Sequence, residues 1–239
     1  MVRAIHRLRR AVQSEAGFTL VEMAVVMMVL MIAVAIFFPA LMQAQSTVDR
    51  SSARSASNDQ ARLAVEELDK EIRSGNVLYN PATCPPPPVT PNGSPTCDST
   101  EGITQNMTLL IYTQTNANTR NPGNQCVQWR ITPVDPYGVS RLERRSWSVQ
   151  WQSDGIVSNW RDVADNVVNR QPPEGGAAVS GFALDPTASY GNRAVQITIL
   201  TNGNPKNTQS ATVRTVTEIT GRNTEYGYPS NICTNIPTY

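Results

Sequence analysis

The stretch Gly17-Phe18-Thr19-Leu20-Val21-Glu22-Met23 opens an apolar run that continues from Ala24 to Phe38 and on through Pro39-Ala40-Leu41-Met42. Between Phe18 and Met42 only Thr19 and Glu22 are strongly polar. Coiled as a helix, residues 18–42 reach about 37 Å at ~1.5 Å per residue, enough to cross a hydrocarbon core of roughly 30 Å. Arg3, Arg7, Arg9 and Arg10 precede the run. By the positive-inside bias they hold the N-terminus in the cytoplasm, so everything after Met42 is exported.

A secretory signal peptide shares the basic flank and the apolar centre. Two features oppose it here: the run is too long for an h-region, and no small-x-small site with a polar start follows it, since Ala33-Val34-Ala35 lies inside the run. A plain signal anchor fits the length and the flank. It leaves Glu22 without an account, because an ionisable group inside an apolar segment costs ~2.5 kcal/mol or more at mid-helix.

The order of a Gly, a Phe, three further residues and a Glu ahead of an apolar helix, here Gly17-Phe18-Thr19-Leu20-Val21-Glu22, resembles the prepilin family. The resemblance implies that residues 1–17 are a leader. A prepilin peptidase would cut after Gly17 at the cytoplasmic face and methylate the new amine on Phe18. Glu22 would then meet the N-terminal amine of a neighbouring subunit, the partner that a buried carboxylate demands. It also implies other pilin or pseudopilin subunits as partners, together with an inner-membrane assembly platform and its ATPase. The product would be a type IV pilus or a type II secretion pseudopilus. Pro39 removes one backbone hydrogen bond and kinks a helix. It reads either as a break at the membrane exit or, by the resemblance, as the place where such helices bend or melt in the fibre.

Loss of residues 1–17 would take four arginines and Glu15 from a chain of 20 basic and 19 acidic residues, leaving it nearly neutral. No basic excess points to nucleic acid. The only histidine, His6, goes with the leader. That excludes Ser-His-Asp and Cys-His nucleophiles and His-ligated zinc from the mature chain. Neither a cofactor nor an enzymatic activity is expected.

Residues 43–75 form the amphipathic second half of the helix, with Ala61, Val65, Leu68 and Ile72 on one stripe. Glu66, Glu67, Asp69, Lys70, Glu71 and Arg73 fill the polar positions, and Gly75 is a C-terminal stop. The helix is expected over about Phe18 to Ser74. Residues 76–102 carry Pro81, Pro85 to Pro88, Pro91 and Pro95, and read as a loop. Cys84 and Cys97 lie in that loop, and Cys126 and Cys233 complete the set. Four cysteines in an exported domain argue for disulfides and allow three connectivities. Cys84 with Cys97 and Cys126 with Cys233 is the favoured one. Close CxxC pairs for zinc are absent.

Residues 103–239 alternate as strands over 107–113, 126–131, 142–151, 195–200 and 211–220, with turns at Asn121-Pro122-Gly123, Asp135-Pro136-Tyr137-Gly138, Ser153-Asp154-Gly155 and Asn202-Gly203-Asn204-Pro205. The fold class is α+β: a long N-terminal helix, membrane-spanning over 18–42, packed on a C-terminal antiparallel sheet. The helix end at Arg62 to Arg73, the pair Gln128-Trp129-Arg130-Ile131 with Arg141-Leu142-Glu143-Arg144-Arg145, and the last strand Val213 to Ile219 resemble J-type minor pseudopilins and PilW-like minor pilins. Arg141, Arg144 and Arg145 with Trp147 and Trp151 suggest a nucleic-acid platform, but alternation sends successive side chains to opposite faces, and a solvated face is expected. Asp162, Asp165 and Asn166 are oxygen ligands without EF-hand spacing. Asn92 and Asn106 stand in glycosylation sequons.

Two readings from different classes follow. One is a structural minor subunit assembled into a fibre through its helix. The other is a membrane-anchored extracytoplasmic binding module. Glu22 separates them, because an anchor gains nothing from the acid.

Overall fold

The computed structural model describes residues 19–83, 103–114, 123–172, 175–184, 194–204, 212–221, 232–233 and 235–237. The chain divides into two units, Met1–Asp49 and Arg50–Tyr239. Helix α1 runs over Leu20–Ser74 and continues across Pro39. In the first unit its large apolar side chains face outward, from Leu20 at 87% exposed to Val48 at 66%. A window of 18 residues there has mean hydropathy 2.8 and none of it is buried. Apolar surface of this extent calls for lipid or other chains around it.

In the second unit α1 buries Ser57, Ala61, Ala64, Leu68, Glu71 and Ile72, spaced alternately by three and four residues apart from the final neighbouring pair. The sheet is antiparallel throughout. Its strands are β1 (Gly75–Leu78), β2 (Thr108–Gln114), β3 (Asn124–Ile131), β4 (Ser140–Ser148), β5 (Arg161–Val167), β6 (Phe182–Leu184), β7 (Ala194–Thr201) and β8 (Val213–Thr220). The order is β1-β2-β3-β4-β5-β7-β6, with β8 also on β7. The connection over residues 132–139 joins β3 to β4 with Ile131 opposite Leu142 and Gln128 opposite Arg145, the hairpin expected from the sequence.

One sheet face packs Leu109, Ile111, Val127, Trp129, Ile131 and Leu142 into the main core with Ala64, Leu68 and Ile72 of α1. On the other face a smaller cluster gathers Leu110, Tyr112, Cys126, Trp147 and Cys233. The alternation of strand side chains produces both cores from the same residues' neighbours. The helix lies close to the sheet at one point: a Cβ on Gly203 would fall 2.1 Å from the Ala53 carbonyl oxygen, so only glycine fits there.

β5 meets β7 at a single register pair, Val167 opposite Thr201. Flanking backbone bonds run from Val168 N to Leu200 O and from Asn202 N to Asn166 O, both 2.9 Å. The buried Asn169 side chain extends this seam. Its Nδ2 donates to Thr198 O (2.8 Å) and Val179 O (3.2 Å), and its Oδ1 accepts from Leu200 N (2.8 Å).

Several elements differ from the sequence reading. A strand starts at Gly75, the expected helix stop, and runs to Leu78 into the stretch read as loop from residue 76, because the prolines of that stretch lie further on and β1 pairs with β2 alone. Trp151–Asp154 is a helical turn closed by Gly155 at φ 67°, so β4 stops at Ser148. The strand Arg161–Val167 was hidden by Asp162, Asp165 and Asn166, which read as oxygen ligands.

Candidate functional site

The N-terminal candidates fall partly outside the described residues, as Gly17 and Phe18 do. The first that is described is Thr19, which takes the N-cap place of α1. Glu22 N donates to Thr19 Oγ1 (3.3 Å), and Thr19 N donates to Glu22 Oε2 (3.5 Å). This is a capping box, in which a Thr and a Glu three residues later satisfy each other's free backbone donors. The acid also sits at the positive end of the helix dipole. Glu22 therefore has a role within its own chain that its apolar surroundings did not suggest, although Thr-x-x-Glu was legible as a motif. Its first-turn position leaves the carboxylate exposed at the head of the apolar helix.

Residues 13–38 match the family model described as a prokaryotic N-terminal methylation motif. The N-terminal segment is prepilin-like. The match ends at Phe38, so it covers the N-terminal segment and the first part of α1 but neither the rest of the helix nor the β domain. No curated protein and no solved structure gives a significant match to the chain.

The other singled-out residues sort by location. Cys126 and Cys233 are disulfide-bonded, with Cα atoms 5.7 Å apart. Cys84 and Cys97 lie outside the described residues, as does Asn92. Thr108, the hydroxyl residue of the Asn106 sequon, is fully buried. Asp162 pairs with Arg141 at 3.3 Å, and Asp165 N donates to Gln60 Oε1 at 2.8 Å.

Of the β4 arginines, Arg141 is exposed as expected, whereas Arg144 and Arg145 correct the expectation of a solvated face. Alternation does send Arg144 and Arg145 to opposite faces, yet neither is solvated. Arg145 is buried, donates from Nε to Gln128 Oε1 at 2.9 Å, and lies 4.4 Å from the Trp160 ring centroid. Arg130 lies 3.8 Å from the same ring and pairs with Glu143 at 2.8 Å. Cation–π contact and hydrogen bonding let the guanidinium groups leave water.

Arg144 faces the helix, where Glu71 corrects a second expectation. Read as a surface position of α1, Glu71 is buried. Its Oε2 accepts from Trp129 Nε1 (2.6 Å), and Arg144 Nη2 lies 2.5 Å from its Oε1. Glu67 joins the group, 3.8 Å from Arg144 and paired with Arg161. The signal in the sequence was the alternating spacing Ala64, Leu68, Glu71, which places the acid on the inner seam.

Burial pushes the Glu71 carboxyl above its ordinary range, and the attraction of Arg144 only partly offsets this. An acid whose folded pKa is raised contributes stability that is fully present below its unfolded value of 4.5 and is lost as pH rises through the folded value. We expect the unfolding free energy of wild type minus that of Glu71→Gln to fall as pH rises from below 4.5. The amide adds a pH-independent offset by turning an NH2 toward Trp129 or Arg144, so the slope is the readout. Chemical denaturation across pH 4 to 8 measures it, and a rising or flat difference would contradict the burial argument.

Proposed function

We propose that the chain is a structural minor pilin or pseudopilin subunit, assembled through its N-terminal helix into a type IV pilus or type II secretion pseudopilus. The observation that carries this reading is the methylation-motif match over residues 13–38, on a helix whose apolar surface is uncovered. In this reading a prepilin peptidase cleaves after Gly17 and methylates Phe18. Residues 18–42 hold the subunit in the cytoplasmic membrane with its β domain on the extracytoplasmic side. An assembly platform and its ATPase then move it into the fibre, where α1 bends at Pro39. Glu22 leaves its own N-cap for the amine of a neighbour. The protein acts through contacts rather than catalysis.

The β domain's loose likeness to J-type and PilW-like subunits supports the minor role. A membrane-anchored binding module is the second reading, and the methylation motif favours the first, because an anchor needs no processing of this kind.

Processing supplies the test. Mass spectrometry of the membrane fraction should find an N-terminus at methylated Phe18, and Gly17→Leu should leave the longer precursor. An intact Met1 in cells that possess a prepilin peptidase would refute the reading. Non-reducing peptide mapping of the same material reports whether Cys84 is joined to Cys97.

A further inference from the structure

We propose that a cavity of mixed polar and apolar lining beside the paired strands β4 and β5 of the second unit is a binding site for a neutral saccharide. The cavity has a volume of about 620 Å³ and is lined by Asp135, Tyr137, Arg141, Asp165, Asn166 and Asn204 among others. That volume suits a small ligand, since such sites run from about 300 to 1,000 Å³.

The lining decides the class of ligand. Carboxylates at Asp135 and Asp165 accept hydrogen bonds, Arg141 donates, and the amides of Asn166 and Asn204 do both. Vicinal hydroxyls need that mixture of donors and acceptors. Tyr137 adds an aromatic side chain that is 65% exposed, a surface on which the C–H face of a sugar ring can lie. An anionic ligand would meet Asp135, Glu143 and Asp165 against one lining arginine. An apolar ligand would strip water from these charges without replacing their hydrogen bonds. Among the described residues no group of three His, Cys, Asp or Glu side chains is placed to hold a metal.

The walls are also held in place. Asp135 Oδ1 accepts from both Tyr137 N and Val139 N at 2.9 Å, and Gly138 at φ 80° completes the turn that presents the tyrosine. Thr132 Oγ1 accepts from Arg141 N at 2.8 Å. Asn166 has φ 57°, a left-handed conformation for a non-glycine residue, and such residues persist where their surroundings fix them. Register shifts at Ser140/Leu142 and Leu142/Glu143 re-aim the β4 side chains beside the cavity. Binding here does not depend on whether the chain assembles into a fibre.

Saturation-transfer NMR on the full chain in a phosphocholine detergent, which carries no sugar head group, tests the site. The probes are cellobiose, lactose, maltose and N,N′-diacetylchitobiose, with pentalysine as the cationic control. At least one disaccharide should bind with Kd of about 1 mM or tighter, and Tyr137→Ala and Asn204→Ala should each weaken it about tenfold. Its affinity should be unchanged in about 0.5 M salt, as for an uncharged ligand. No saccharide binding up to about 10 mM would overturn the proposal. So would binding that both variants retain, or capture of pentalysine alone with loss in salt.

Discussion

Replacing Cys126 and Cys233 together by alanine is expected to lower the stability of the β domain by about 4.7 kcal/mol, the chain-entropy value for a closed loop of roughly 100 residues. The two cysteines are 107 positions apart, so their bond ties β3 to the C-terminal residues across most of the sheet's connectivity. Other contacts hold the same segment: Cys233 N donates to Tyr79 Oη (3.1 Å), and Trp151 Nε1 donates to Asn235 O (2.9 Å). Ile232 and Ile236 pack against the smaller core that contains Leu110, Tyr112 and Trp147. These contacts do not bridge distant parts of the chain covalently and cannot substitute for the lost constraint on the unfolded state. Urea unfolding of the full chain in detergent should show the midpoint fall and the slope rise, because the unfolded chain without its cross-link is more expanded and exposes more surface. A loss below about 1 kcal/mol would mean that the unfolded chain is already restricted by other means.

The second large effect is on assembly. Glu22→Ala should leave the β domain as stable and as protease-resistant as wild type, because residue 22 lies in the first unit and none of its hydrogen bonds reaches the second. Within the chain the variant loses half of the capping box, worth about 1 kcal/mol locally. Membrane insertion should be as good or better, since a carboxylate has been removed from an apolar helix. In a fibre, the neighbour's amine would stay buried without its partner, at a cost of about 3 to 5 kcal/mol. Sheared-fibre recovery or secretion activity should therefore collapse while membrane content does not. A variant that assembles like wild type would remove Glu22 from the assembly contact and favour the anchored-module reading.

How far the sequence could be read depended on whether one periodicity decided the outcome. The long helix was legible because nothing between Leu20 and Ser74 except Pro39 opposes it, and β2, β3, β7 and β8 were legible from alternation. β5 was not, since Asp162, Asp165 and Asn166 are poor strand formers that only pairing with β4 keeps extended. Glu71 and Arg145 were assigned to water because charged side chains usually are. Their partners, Trp129, Arg144, Gln128 and Trp160, lie far away in sequence or on another element, and periodicity carries no record of such contacts. The capping box was the reverse case. Thr19 and Glu22 stood in plain order, but the membrane cost of the acid drew attention from its local bonds.

The seam between β5 and β7 has a mechanical consequence. Across β7–β8 a pull normal to the strands is shared by eight register pairs, and across β2–β3 by seven. Across β5–β7 the same load falls on one pair, its two flanking backbone bonds and the side chain of Asn169. Tension applied through the sheet concentrates there, and rupture begins where the fewest rungs carry it. The blocks on either side, β1 to β5 and β6 to β8, would stay tied where Gly181 N and Phe182 N donate to Asn106 O at 2.9 Å, so the first opening is confined to this seam.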